Sequence, residues 1–372
     1  MSDSTATTPK VYIVHENPEW IPPLVKAFEE EHVPFQEWDI ATGSIDLFQE
    51  PPQGVFWSRL SASSPSRDHP HAKEYARALY AWLESYGRTV VNSLNVLELE
   101  VSKVAQYTAL KRAGFDVPHT VAVFGRNDLL DRAREFTTPF ITKHNQGGKG
   151  LGVRKFESFE EFERFVVSDE WRDPIDGVTL LQEYIVTAQP FITRLEFIGG
   201  KLHYAVRVDT SGGKFTLCPA DACAIDDDGH DHAHAGGQTT QGFAPAACEA
   251  PASPLPQALP HLPTAAATLT LQRQALAPAA CEPDAVSGVS AFTPRADITR
   301  GTPLVRQLEA FLADQRIDIA GIEFFETADG RTVVYDINTN TNYNSAVEAV
   351  APSAAHAVAR YLGGLLAQES AV

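Results

Sequence analysis

The chain has 372 residues, 44% of them hydrophobic, with 30 Lys and Arg against 48 Asp and Glu, a formal net charge of −18. That much apolar mass supports two or three domains. The acidic balance excludes a general nucleic-acid binder, which needs a basic face to displace counterions, but a few local Lys and Arg can still hold a small anion.

The first ten residues lack the apolar stretch of a secretory signal. The charge-free run 251–272 is broken by Pro251, Pro254, Pro256, Pro260 and Pro263, so it is no membrane helix. Cys218, Cys223, Cys248 and Cys281 crowd into one region, which is not a disulfide framework. A cytoplasmic protein without a membrane partner is expected.

Residues 1–100 alternate strand and helix signals: an apolar run at 11–14, a helical pattern at 24–30, a buried-strand run at 55–57, a helix at 73–86 with Tyr75, Ala78, Leu79 and Trp82 on one face, and a third strand at 89–91. This order predicts a small α/β domain with a parallel sheet. No GxGxxG follows any of these strands, so a Rossmann dinucleotide site is not expected. Ligands in open α/β sheets sit beyond the carboxyl ends of strands, which makes Arg59 and Arg67, just after 55–57, candidates for a substrate carboxylate; a plain polar surface loop is the alternative.

From residue 101 the pattern changes. A helix is predicted over 102–113, a strand over 120–124, a helix over 127–136, and strands over 140–143 and 152–156 around a glycine-rich loop. Ser158 with Glu161 forms a capping box for a helix carrying Phe159, Phe162, Phe165 and Val166. Strands follow over 180–185, 191–198 and 202–209. A low-complexity stretch, 224–288, opens on an acidic tract containing His230, His232 and His234 and continues rich in Ala, Pro and Gln; it reads as a flexible insertion. Its His and Cys do not have zinc-site spacing, so zinc is the weaker reading there. A helix over 303–315, two strands and a helix over 345–366 complete the chain.

The segment 319–338 is the most informative. Asp329-Gly330 between two alternating runs predicts a hairpin with a two-residue type I′ turn. In that register Ile322 faces Ile337 and Phe324 faces Tyr335 on the apolar side, while Glu323 lies opposite Asp336 with Asn338 on the same side. Opposed carboxylates repel, and a hard divalent cation such as Mg²⁺ is the simple remedy; a solvated hairpin is the alternative. Upstream, Lys143 ends a strand and is followed by Gly147, Gly148, Lys149, Gly150 and Leu151, a loop whose backbone N–H groups can approach phosphate oxygens with Lys143 and Lys149 supplying charge. It is not a Walker A loop, and alone it is equally a glycine-rich turn. Gln182, Glu183, Tyr184 and Ile185 end a buried strand and can offer acceptors and apolar surface to a purine, although taken alone they read better as an edge strand with a glutamate. Arg194 and Arg207 sit on successive strands, where a charge facing a cleft clamps a phosphate or acyl phosphate.

In this order the segments resemble the ATP-grasp superfamily, and most closely its RimK-like branch of amino-acid ligases, on Ser102-Lys103, Lys143 with the Gly147–Gly152 loop, Gln182 to Ile185, Ile192 to Arg194, Arg207, Gly321 to Glu323, and Asp336 to Asn338. The resemblance implies an N-terminal α/β pre-ATP-grasp domain (1–100), a small lobe with the glycine-rich loop (101–178), and a C-terminal lobe (179–372) containing the metal site and the insertion. It implies that Lys103 and Lys143 bind ATP phosphates under the glycine loop, that residues 183–185 hold adenine, that Glu323, Asp336 and Asn338 bind Mg²⁺, with Mn²⁺ as a substitute, and that Arg194 and Arg207 stabilise an acyl phosphate and the tetrahedral intermediate. The implied activity is amide-bond formation between a small-molecule carboxylate and an amine, on an amino acid or peptide. An ATP-grasp phosphotransferase and a non-catalytic ATP-binding interaction protein are the alternatives, with self-association left open. The chain departs from the family in having Asp336 where Glu is usual, Glu323 where Asp is frequent, and a long insertion after Cys223, close to where the family contacts its acceptor, so the acceptor is left open.

Overall fold

The computed structural model describes residues 8–148, 150, 152–211 and 291–369. A parallel sheet comes first, built from β1 (Lys10–His15), β2 (Phe35–Asp39), β3 (Gly54–Arg59) and β4 (Thr89–Val91) in the order β2-β1-β3-β4, with α1 (Pro22–Glu30) and α2 (Ala72–Ser85) in its crossovers. Alternation along the strands decides which layer each side chain joins. Val11, Ile13, Val55 and Trp57 pack on α1, while Tyr12, Val14 and Phe56 pack on α2. With both faces covered, the central strands read as continuous apolar runs. The edge strand β2 is half polar and half exposed, which is why no apolar run announces it.

Next come α3 (Leu94–Glu100) and α4 (Lys103–Arg112). Ser102 caps α4, its hydroxyl accepting from the Ala105 N–H at 3.2 Å. An antiparallel sheet follows, β5 (Thr120–Phe124), β6 (Phe140–His144), β7 (Arg154–Phe156) and β8 (Val178–Glu183), in the order β5-β8-β6-β7. Phe140, Phe156 and Leu181 cover one face with Phe162 of the capped helix α6 (Phe159–Val166), and the helix expected over 127–136 contracts to α5 (Leu129–Ala133). Because β8 pairs within this sheet, a lobe boundary at 178 would cut a strand from its partners; the chain leaves the sheet only after Glu183.

The third sheet is antiparallel, with β9 (Phe191–Ile198), β10 (Lys201–Asp209), β11 (Phe292–Pro294), β12 (Ile319–Glu326) and β13 (Thr332–Asn338) in the order β11-β10-β9-β12-β13. One face buries Leu195, Phe197, Ile322 and Phe324 against Leu308 and Leu312 of α7 (Pro303–Gln315), while the other carries Arg194, Glu196 and Glu323 beside a second apolar cluster of Ile192, Tyr204, Val206 and Val208. The single C-terminal helix expected over 345–366 is instead α8 (Ser345–Glu348) and α9 (Ala354–Glu369), separated around Pro352, whose ring disfavours helix in the residue before it. Ala355, Val358, Ala359 and Leu362 of α9 return to pack on the first sheet. The insertion 224–288 with His230, His232, His234, Cys248 and Cys281, and the preceding Cys218 and Cys223, lie outside the described residues. Among those described, no helix is long and apolar enough to cross a membrane.

Candidate active site

The β12–β13 hairpin pairs Glu323 with Asp336 and Ile322 with Ile337, as the sequence pattern predicts, but by a different route. The loop has three residues rather than two: the Thr327 N–H donates to the Arg331 carbonyl at 3.0 Å, and Gly330 takes the left-handed conformation at φ 84°. That offsets the register by one, so Phe324 pairs with Val334 and not with Tyr335. An irregularity between Glu323 and Phe324 then restores it. The extra residue is Tyr335, and this local break in the pleat puts Tyr335 and Asp336 together on the cleft wall. Tyr335 stacks on Phe325 at 4.1 Å and donates its hydroxyl to Glu323 Oε2 at 2.6 Å.

Sheet register extends the rank of charges. Arg194 on β9 pairs with Glu323, which pairs with Asp336, so a cation and two carboxylates stand side by side on one face. At the far end the Lys103 ammonium of α4 closes on Asp336 Oδ1. The opposed carboxylates therefore each have a cation of the protein's own. Burial alone would raise the Asp336 carboxyl, but Lys103 and Lys143 more than offset it and hold it below the usual range. Burial lowers the Lys143 ammonium, opposed by Asp336 and Glu323.

Arg194 is engaged on every side. Its Nη1 donates to Glu323 Oε1, its Nε to Glu196 Oε1 and its Nη2 to Thr341 Oγ1, each at 2.6 Å, and the Thr341 hydroxyl donates on to Glu196 Oε2 at 2.8 Å. All four residues are buried. Burial works against the Arg194 charge, yet Glu196 and Glu323 raise it well above the ordinary guanidinium value. Burial also raises the Glu196 carboxyl, opposed by Arg194 and Thr341. Arg194 thus anchors Glu323 with three of its five N–H donors engaged inside the protein, while still lining the cleft.

These groups form the base of a cleft of about 290 Å³. Lys103, Lys143, Gly147, Gly148, Gly150, the stretch 182–185, Arg194, Glu323, Asp336 and Asn338 all line it, so the structure brings together most of the residues picked from the sequence. Lys149 and Leu151 lie outside the described residues. The glycine loop starts from an anchored end. Asn145 Oδ1 accepts from the Val104 N–H at 2.8 Å and its amide donates to Asp176 at 2.7 Å, fixing the loop to the start of α4. Glu183 Oε1 accepts from the His119 N–H at 2.7 Å, and Tyr184 and Ile185 lie past the end of β8.

Three arginines depart from expectation. Arg207 pairs with Thr193, the neighbour of Arg194, so alternation puts it on the opposite face of the sheet, exposed over the Phe191 ring at 4.4 Å and off the cleft. Arg59 is 2% exposed and donates to the Thr341 carbonyl at 3.1 Å and Asn342 Oδ1 at 2.7 Å, tying the first sheet to the loop after β13; burial pushes its guanidinium down to about 10. Arg67 is paired with buried Glu16 at 2.6 Å and lies over Trp20 at 4.7 Å. Neither lines the cleft, although their neighbours Ser61, Ser63 and Asn342 do.

Several supporting residues carry no sequence signal. Tyr107 places its hydroxyl 3.3 Å from Lys143 Nζ, Gln106 brackets β13 through the Ile337 N–H and carbonyl, and Glu100 accepts from the Ala62 and Thr339 N–H groups. Their partners lie far along the chain, so no local spacing marks them.

The donor set at Glu323, Asp336 and Asn338 fits Mg²⁺ in kind: two carboxylates and an amide, hard oxygens on neighbouring strands, with Asn338 spending its nitrogen on Asp336 at 3.2 Å and keeping its oxygen. Among the described residues no three His, Cys, Asp or Glu converge as a metal cluster, so this mixed set stands apart from a structural metal cage.

No protein-family model and no curated protein matches the chain. Solved structures do. A RimK domain protein ATP-grasp from Sphaerobacter thermophilus is 15% identical, with a TM-score of 0.54 over 94% of this chain and 99% of that one. The D-cycloserine synthetase DcsG is 15% identical, with a TM-score of 0.57 over 96% and 99%. The ATP-grasp ligase PsnB, complexed with a minimal precursor, Mg and ADP, is 14% identical, with a TM-score of 0.54 over 96% and 97%. With its cleft between an antiparallel lobe carrying a glycine-rich loop and a second carrying opposed carboxylates, and with likeness over almost its whole length, the chain has the ATP-grasp fold of the RimK-domain proteins.

Proposed function

We propose that the chain is an ATP-dependent carboxylate–amine ligase that makes an amide bond through an acyl phosphate and releases ADP and phosphate. The observation that carries it is the convergence of Lys103 and Lys143 with Glu323, Asp336 and Asn338 in one cleft that Gly147, Gly148 and Gly150 also line. A carboxylate oxygen of the first substrate attacks the γ-phosphorus as its bond to ADP breaks. An amine then attacks the acyl carbon, phosphate leaves, and the amine gives up a proton. In this reading Lys143 and Lys103 hold phosphate oxygens, backbone N–H groups of 147–152 cover them, and 182–185 receive adenine. Glu323, Asp336 and Asn338 would hold Mg²⁺, which supplies charge neutralisation at the phosphates. Arg194 fixes Glu323, and its charge at the cleft base joins the lysines in stabilising the transferred phosphoryl group. The likeness to a D-cycloserine synthetase and to a ligase held with its precursor supports an amino acid or a peptide as substrate.

Incubation with Mg-ATP and a pool of amino acids and short peptides, followed by mass spectrometry, tests the reading. Pool-dependent ADP and phosphate with a product equal to two reactants minus water is the expected result. A stable phosphorylated product without an amide would overturn it.

The lowered Lys143 pKa adds a second expectation. Nucleotide affinity should decline with a midpoint below the ordinary lysine value of 10.5 as the ammonium loses its proton. Global stability should move the other way: between the folded and unfolded lysine values the unfolded chain binds more protons, so this residue's contribution rises with pH. Lys143→Arg, which keeps its charge, should retain affinity across the same range. An equal alkaline decline in both proteins would remove Lys143 from the binding account.

A further inference from the structure

Glu196 is a buried carboxylate off the cleft wall, with no substrate-facing role in the reading above, and it is only 2% exposed. It sits behind Arg194, two residues along β9, and meets the guanidinium Nε at 2.6 Å while Thr341 donates to its other oxygen at 2.8 Å. On the far side of the same guanidinium, Nη1 meets Glu323 at 2.6 Å. One buried positive charge is therefore shared between two carboxylates, of which only Glu323 faces the cleft. If Arg194 had Glu323 as its sole partner, the pair would be neutral and Glu323 a poor ligand for a cation. With Glu196 drawing on the guanidinium from behind, the trio carries one net negative charge, and the carboxylate able to present it to the cleft is Glu323.

We propose that Glu196 is a positioning residue that sets the cation affinity of the Glu323, Asp336 and Asn338 site by taking up part of the Arg194 charge. The proposal rests on the metal reading given under Proposed function. Glu196 touches neither nucleotide nor metal; it acts through Arg194.

The test uses the full chain, a fluorescent ATP analogue and a Mg²⁺ titration, with loss of the free Mn²⁺ electron paramagnetic resonance signal in the presence of AMPPNP as a second readout. Glu196→Gln keeps the shape and removes the charge. It should raise the half-saturating Mg²⁺ and Mn²⁺ concentrations about tenfold, the scale expected for one charge removed near a partly dehydrated cation, while nucleotide affinity at saturating Mg²⁺ stays within about twofold. Thr341→Val removes hydrogen bonds from the same cluster without changing charge, and should leave the midpoints within about threefold of the parent chain. Glu196→Ala removes the same charge without placing an amide among the buried donors and should shift the midpoints equally, which keeps the test decisive where Glu196→Gln does not fold. Unmoved midpoints in a folded Glu196→Gln or Glu196→Ala variant, or a Thr341→Val shift of equal size, overturn the proposal. Nucleotide binding indifferent to Mg²⁺ in the parent chain overturns the metal reading and this proposal with it. Mg²⁺-dependent binding with an unmoved Glu196→Gln overturns this proposal alone.

Discussion

Glu323→Ala and Asp336→Ala are each expected to lose at least about a hundredfold of Mg²⁺-dependent turnover, because each removes an oxygen donor where phosphate charge must be neutralised. Their stabilities should differ. Asp336 is the carboxylate partner of Lys103, whose side chain is 7% exposed, and it also faces half-buried Lys143. Truncating it leaves the buried Lys103 ammonium without its carboxylate and removes a counter-charge from Lys143, at a cost of about 3 kcal/mol. Glu323 has a different neighbour. When it is removed, Arg194 keeps Glu196 and Thr341, so the cost should be nearer 1 kcal/mol. Urea denaturation of both variants without nucleotide, alongside turnover, checks both halves. Full activity in either variant would remove that residue from the metal set, and equal stabilities would contradict the pairing of charges.

The acidic shoulder of stability follows from the same pair. Asp336 has a depressed folded-state value, so its contribution is present above the unfolded value of 3.8 and is lost as pH falls through the folded one. Glu196 is raised and contributes in the opposite sense. Asp336→Asn should therefore flatten part of the acid limb, while Glu196→Gln should not.

Much of the site was legible because its signals are local. A strand-ending Lys143 before a glycine run, a carboxylate near the end of β8, and opposed carboxylates across a short hairpin need only alternation and turn chemistry. Even so, the Glu323–Asp336 pairing emerged from two offsetting features, a three-residue loop and the bulge at Tyr335, and the intermediate pair Phe324–Tyr335 was misplaced as a result. What escaped the sequence depends on long-range register. Arg194 lies beside Glu323 because β9 pairs with β12, more than a hundred residues later, and nothing in the local pattern states that. The facing of Arg207 is lost for a related reason. Its side follows from the β9–β10 pairing, where an irregularity between Leu202 and Tyr204 changes the parity that a simple hairpin would give. Arg59 and Arg67 illustrate a third limit: both stand near the carboxyl ends of parallel strands, where ligands bind, but each is tied to protein partners from a distant segment and neither lines the cleft.

Gly321→Ala is expected to be among the most damaging single-methyl changes in the chain. Gly321 sits on β12 between Glu196 and Asn338 in the register, and the Arg194 side chain crosses directly over it to reach Thr341. A Cβ there would lie 2.3 Å from Nη2, 2.7 Å from Cζ and 2.9 Å from Nε of Arg194. A flexible side-chain end could swing aside at little cost, but this guanidinium is buried and held on three sides, so displacing it breaks its bonds to Glu196, Glu323 and Thr341 together. Overpacking combined with a disrupted buried ion pair should cost about 3 kcal/mol or more. Because Glu323 loses its anchor, turnover should fall by at least about tenfold even at temperatures where the variant remains folded. Gly330→Ala supplies the contrast. That glycine has φ 84° but nothing within 4 Å of its missing Cβ, so the substitution should cost about 1 kcal/mol of backbone strain and leave turnover unchanged. Thermal and urea unfolding with turnover at a common fraction folded separates the two effects. A Gly321→Ala variant as stable and active as the parent would show that Arg194 can leave its three partners freely, and that Glu323 does not depend on it for its place in the cleft.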